Sequence, residues 1–231
     1  MRVIFVVPAY QAEDSVGAVV SELAAAGGSD GVIVVDDGSR DRTGARAREA
    51  GATLLVHARN RGKGAALRTA FHEARRRGAD AVVTVDADGQ HPPDEAVRLA
   101  RHPAPREALV LGVRDLVRDG APPASRFSNG FSNLVLSGFG RRTLSDTQCG
   151  LRRYPLPETL LLGALSSGYA YEAEVVLRAA RLGFPIEEVP IRVVYPPPEE
   201  RISHFHVVRD PARIVASVVG TVIGVPRRRE S

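Results

Sequence analysis

The stretch Asp86-Ala87-Asp88-Gly89-Gln90-His91-Pro92-Pro93 places two carboxylates two residues apart at the end of an apolar run. In extended backbone alternate side chains point the same way, so Asp86, Asp88 and Gln90 can present hard oxygens together. Such a set suits Mg²⁺ or Mn²⁺ shared with the phosphates of a substrate. Burying uncompensated carboxylates is costly, so a bound cation accounts for them better than packing does. The competing reading is an acidic turn capped by proline. An aspartyl-phosphate site fits less well, because the chain is too long and Lys63 follows the wrong strand.

Three further segments carry reactive types. Val35-Asp36-Asp37-Gly38-Ser39-Arg40-Asp41-Arg42-Thr43 puts two adjacent acids after an apolar run, one of them placed to bind ribose hydroxyls or a base, although Ser39 or Asp41 acting as a helix cap explains part of the pattern. Asn60-Arg61-Gly62-Lys63-Gly64-Ala65-Ala66 is neither a dinucleotide fingerprint, lacking the third glycine, nor a P-loop, lacking the upstream glycine and a hydroxyl after Lys63. It is a glycine-flanked cation at a helix start, suited to a phosphate or to the acidic pair, or simply a solvated turn. Pro8-Ala9-Tyr10-Gln11-Ala12-Glu13-Asp14 opens the first helix, where Tyr10 can stack on a planar base or merely line a rim.

These segments require a frame that brings them to one place. Apolar runs at 3–7, 31–35, 53–56, 81–85 and 109–113 read as strands buried on both faces, and helices are predicted at 13–25, 42–50, 64–77 and 94–101. The alternation predicts an α/β domain, doubly wound and Rossmann-like, with a mainly parallel central sheet flanked by helices. In such sheets ligands bind beyond the carboxyl ends of the strands, where every segment above falls. The later part predicts a helix at 127–139, a strand at 151–154, a helix at 171–182 and a strand at 186–194. A proline-rich segment at 196–200 and an amphipathic helix from about 211 follow.

Composition narrows the class. With 231 residues, 44% hydrophobic and 25% charged, the chain is neither disordered nor fibrous. Its single cysteine, Cys149, excludes an intramolecular disulfide or multi-cysteine metal site and reads as a packing residue. No apolar run is long enough to span a bilayer, and a cytoplasmic location is expected. The net charge of +4 comes almost wholly from arginine, Lys63 being the one lysine, and no nucleic-acid partner is expected.

The ordered series Val-Val-Pro-Ala-Tyr, Val-Asp-Asp-Gly-Ser-x-Asp-x-Thr, Asn-x-Gly-Lys-Gly-Ala-Ala and Asp-Ala-Asp-Gly-Gln-His resembles family 2 glycosyltransferases of the GT-A fold. The likeness continues through 146–152, 168–174, 189–191 and 203–205, and is greatest to the polyprenyl-phosphate (dolichyl-phosphate) mannose and glucose synthases. It implies a catalytic domain over 1–208. Pro8, Ala9, Tyr10, Glu13, Asp36, Asp37, Lys63, Asp86, Ala87 and Asp88 would hold a nucleotide sugar, GDP-mannose or UDP-glucose. Asp86, Asp88 and Gln90 would bind the divalent cation. Arg114, Arg126, Arg201, Ser203 and His204 would face the acceptor phosphate, with Asp146 nearby and 203–205 forming a closing loop.

These roles imply a mechanism. The cation, with Lys63 or an arginine, stabilises the departing nucleoside diphosphate. A polyprenyl phosphate acceptor is already anionic and attacks from the opposite face without a base, inverting the configuration. A sugar hydroxyl acceptor would need a base, with Asp146 as candidate and Glu172 or Glu174 behind it. A non-catalytic nucleotide-sugar-binding protein is the remaining alternative. The 209–231 segment, an apolar helical face followed by Arg227-Arg228-Arg229, suits peripheral contact with the inner face of the cell membrane or, equally, a core or homodimer contact.

Overall fold

The computed structural model describes residues 1–27, 31–140, 142–195 and 220. Seven strands form one sheet: β1 (Val3–Ala9), β2 (Val32–Asp36), β3 (Thr53–Val56), β4 (Ala81–Thr84), β5 (Leu109–Arg114), β6 (Arg152–Pro155) and β7 (Ile186–Ile191), in the order β3-β2-β1-β4-β6-β5-β7. All neighbours pair parallel except β6, which runs antiparallel to β4 and β5, with Val83 opposite Arg153 and Leu111 opposite Arg152. Because β6 is reversed, its entry loop lies at the same edge as the carboxyl ends of β1, β2, β4 and β5. That reversal brings residues 146–151 to the predicted site.

Helices cover both faces, as uninterrupted apolar strands require. One face packs on α1 (Val16–Ala25), α2 (Thr43–Glu49) and α4 (Pro93–Ala100), through Val20, Leu23, Ala47, Ala96 and Leu99. The other carries α3 (Lys63–Arg76) and α7 (Ala170–Leu182), whose Leu67, Phe71, Val176 and Leu177 meet Ile4, Val6 and Tyr154. The rings of Phe71 and Tyr154 lie 5.0 Å apart. Burying a side chain the size of Phe71 contributes about 1.5–3 kcal/mol. The remaining helices are α5 (Pro123–Gly140) and the short α6 (Glu158–Leu161).

The α/β frame is as the sequence predicts, with local differences. Helix α1 begins at Val16 rather than at 13, because the amides of Ser15 and Val16 both turn back to the carbonyl of Ala12. Helix α5 starts earlier, at Pro123, a residue tolerated in the first turn because its missing N–H has no partner to lose there. Strand β7 stops at Ile191, and Arg192 instead reaches Glu95 on α4 at 2.8 Å. The predicted helix within 209–231 lies outside the described residues apart from Gly220, as do Arg201, Ser203 and His204.

Candidate active site

Strand β4 runs one residue past its ladder, with the amide of Val85 bonded to the carbonyl of Val6, and delivers Asp86 to the sheet edge. Lys63, the first residue of α3, meets it there: Nζ lies 2.7 Å from Asp86 Oδ1 and 3.1 Å from Glu172 Oε2. The approach depends on Gly64, where a Cβ would come within 2.5 Å of Cβ of Tyr171, so α3 and α7 touch closely enough for Lys63 and Glu172 to pair. Burial works against both charges, yet the pairing wins. Asp86 is held far below the ordinary carboxylate range by Lys63 and His91, and Lys63 is raised by Asp86 and Glu172. Asp88 extends to solvent, and partial desolvation together with the Asp86 carboxylate raises its pKa. The main-chain amide of Gln90 donates to Asp88 Oδ1 at 3.0 Å.

The acidic pair after β2 is engaged differently. Asp37 is buried and accepts from the amides of Arg61 and Gly62, at 2.7 Å for the latter, and lies 2.6 Å from Nδ1 of His57. In this structure Asp37 fixes the loop that carries Lys63. Asp36 accepts from the amide of Ser39. The half-buried Glu13 receives the Arg42 amide at 3.0 Å, and Gln11 and Ala12 donate to Ser39 and Thr43, so the segments after β1 and β2 are laced together beside Pro8 and Tyr10. Ala9 bonds the Asp37 amide, and the carbonyl of Ala87 accepts from Ser15.

Arg114 ends β5 and forms a bidentate pair with Asp146, at 2.7 Å from Nε and 3.0 Å from Nη2. Asp146 is fully buried, and it also accepts from the amides of Arg114, Gln148 and Cys149. Both its oxygens are therefore occupied. Arg114 lines an open cleft of about 360 Å³ with Leu116, Val117, Asn129 and Ser145. The same 146–150 loop reaches the acidic cluster, for a Cβ at Gly150 would come 2.2 Å from Asp86 Oδ2. Arg126 stands exposed on α5, and among the described residues no side-chain bond ties it to Arg114.

The description "Glycosyl transferase family 2" matches residues 4–158. The chain belongs to this family. It is 33% identical over 212 residues to the undecaprenyl-phosphate mannosyltransferase of Micrococcus luteus, covering 84% of each chain. It is 31% identical to the polyprenol monophosphomannose synthase of Mycolicibacterium smegmatis, covering 82% of this chain and 76% of that one. The crystal structure of glucosyl-3-phosphoglycerate synthase from Mycobacterium tuberculosis, in complex with Mn²⁺, UDP and phosphoglyceric acid, superposes with a TM-score of 0.72 at 20% identity. That match covers 97% of this chain and 79% of the other, and is a likeness of fold. The protein is a glycosyltransferase with the GT-A architecture.

Within this family 2 domain, sequence reasoning underrated several residues. Glu172 stands only as a reserve base in the sequence reading, whereas it pairs with Lys63 and keeps a buried Oε1 without a partner. His91 belongs to the quoted acidic stretch, yet its Nε2 lies 3.7 Å from Asp86 and its buried Nδ1 has no partner. His57 sits three residues before Asn60, with no signal beyond that proximity. Cys149 is buried, and desolvation pushes its thiol up to about 12, in keeping with a packing role. No group of three or more His, Cys, Asp or Glu side chains among the described residues forms a metal cage.

Proposed function

We propose that this glycosyltransferase moves a hexose from a nucleotide sugar, GDP-mannose or UDP-glucose, to a polyprenyl phosphate, with inversion and with Mg²⁺ or Mn²⁺. The observation that carries the acceptor class is the occupancy of Asp146. A hydroxyl acceptor needs a base with a free oxygen, and Asp146 spends both oxygens on Arg114 and on backbone amides. Glu174 is likewise engaged, by the amides of Leu165 and Ser166 and by Arg178, and Glu172, the one candidate with a free oxygen, is buried and paired with Lys63 on the donor side rather than beside the Arg114 cleft. A phosphate needs no base, and Arg114 beside an open cleft offers it a cation. The named substrates of the two bacterial relatives point the same way.

On the donor side, Asp86 and Asp88 would hold a divalent ion, which would supply positive charge beside the donor diphosphate. They are two carboxylates without a third acidic partner among the described residues, and desolvation together with their mutual repulsion raises Asp88. Such an ion would stabilise negative charge on the leaving nucleoside diphosphate. Lys63, paired with Asp86, holds a positive charge at the same place, while Tyr10 and the laced 10–13 and 39–43 segments form the wall for the nucleotide. An oxygen of the acceptor phosphate forms the new bond to the anomeric carbon as the bond to the diphosphate oxygen breaks.

Helix α5 supports a membrane-held acceptor. Its polar residues Ser128, Asn129 and Ser132 are buried, while Phe127 and Leu134 are 77% and 72% exposed and Phe131 is also exposed. Val117, on the rim of the Arg114 cleft, is exposed too. An apolar face turned outward beside the acceptor cleft suits a lipid surface. No helix among the described residues is long and apolar enough to cross a membrane. The test is incubation of radiolabelled GDP-mannose and UDP-glucose with Mn²⁺ and undecaprenyl phosphate. A mild-acid-labile glycolipid is expected, and transfer only to hydroxyl acceptors would overturn the reading.

A further inference from the structure

Strand β6 carries two successive arginines that are both buried, Arg152 at 1% exposure and Arg153 at 0%. Successive residues of a strand point to opposite faces, so the two guanidiniums serve different surroundings. Arg153 donates to the carbonyls of His102, Ala104 and Pro105, on the loop after α4 and away from the site. Arg152 donates to three carbonyls that belong to the site's framework. Nη2 lies 2.6 Å from the oxygen of Thr147, Nε 2.7 Å from that of Cys149, and Nη1 3.1 Å from that of Glu172.

Those carbonyls come from the two halves of the site. Thr147 and Cys149 flank the turn whose amides hold Asp146, and through it Arg114. The same turn continues into Gly150, which lies against Asp86 and whose carbonyl accepts from Thr84 Oγ1 at 2.7 Å. Glu172 lies in the first turn of α7 and pairs with Lys63.

We propose that Arg152 is the positioning residue that holds the donor half, Lys63–Asp86–Glu172, and the acceptor half, Asp146–Arg114, in register. A planar guanidinium has donors in a fixed fork and can satisfy several carbonyls at once, whereas an ammonium offers a single point charge. A shift of either segment lengthens bonds to the other. Arg152 touches no reacting atom in this account and acts only through the two segments. The inference rests on the transfer reaction proposed above for the assignment of donor and acceptor, but not for the geometry.

The test compares Arg152→Lys with Arg153→Lys, which loses similar buried bonds on the far face. Both variants are expected to melt earlier. Arg152→Lys alone is expected to raise KM for both nucleotide sugar and lipid phosphate, by about tenfold for lost charge-assisted hydrogen bonds. Equal KM changes in the two variants, or a fall in kcat with both KM values unchanged, would overturn the proposal. If Arg152→Lys does not fold, hydrogen exchange on the wild type decides. Mn²⁺ with UDP or GDP is expected to slow amide exchange in 146–150 as well as in 170–174, and protection confined to 170–174 overturns the inference. A wild type that protects both segments yet transfers nothing to lipid phosphate refutes the acceptor assignment and leaves the coupling standing.

Discussion

The ammonium of Lys63 stands 2.7 Å from Oδ1 of Asp86, so the chain's one lysine neutralises the carboxylate that β4 delivers to the sheet edge. The two come from different strand-helix connections, and only the close packing of α3 on α7 brings Glu172 to the same ammonium. Replacing Lys63 by methionine keeps the bulk and leaves two carboxylates facing each other. Removing one member of a buried ion pair costs about 3–5 kcal/mol, and losing a preorganised charge costs about 100-fold or more in turnover. Steady-state kinetics alongside circular dichroism should therefore show a folded, destabilised and nearly inactive Lys63→Met, with Lys63→Arg partly active. Wild-type turnover in Lys63→Met would remove Lys63 from the reaction.

Gly150 supports Asp86 from beneath. Its main chain is pinned by Thr84, so an added methyl 2.2 Å from Asp86 Oδ2 must push the carboxylate aside. Overpacking of this kind costs about 1–3 kcal/mol. Calorimetric titration of Gly150→Ala with Mn²⁺ and nucleoside diphosphate should show weakened binding. Unchanged affinity would mean that Asp86 yields without consequence.

Asp146→Asn keeps the shape of the buried anchor but removes its charge from Arg114. The expected result is a KM for lipid phosphate raised about tenfold, as for a lost charge-assisted bond, with donor KM unchanged and turnover retained. Loss of all turnover in a folded variant that still binds donor would instead make Asp146 the base of a hydroxyl-directed enzyme.

The thiol of Cys149 reports on the integrity of the same loop. Burial raises its pKa from 9.0 to about 12, so the folded protein keeps the proton where the unfolded chain has released it. The unfolded state then binds fewer protons over that window, and stability falls as pH rises from 9.0 towards about 12. A thiol reagent at about pH 8 should label the protein only after denaturant is added, since the thiolate is the reactive form. Rapid labelling of native protein would contradict the closed packing around Asp146.

The strands and the acidic stretch at 86–88 were legible because runs such as 81–85 are apolar without interruption and end abruptly in carboxylates. The occupants of those carboxylates were not legible. Asp37 is engaged by backbone amides of Arg61 and Gly62, and amides leave no trace in residue types. Glu172 meets Lys63 through a helix contact far apart in the chain. Helix α5 is instructive in another way. The sequence predicts a helix at 127–139, but only the bonds of Ser132 and Asn133 to Thr147 show that its polar side faces inward.

The most direct test is sugar transfer to undecaprenyl phosphate by wild type and Asp88→Ala, with Mn²⁺, with Mg²⁺ and with chelator, for GDP-mannose and UDP-glucose in turn. One donor is expected to yield an inverted, lipid-phosphate-linked hexose, and chelation or Asp88→Ala to abolish it while the variant stays folded. No lipid-linked product from either donor, or full transfer in chelator, would contradict the proposed reaction.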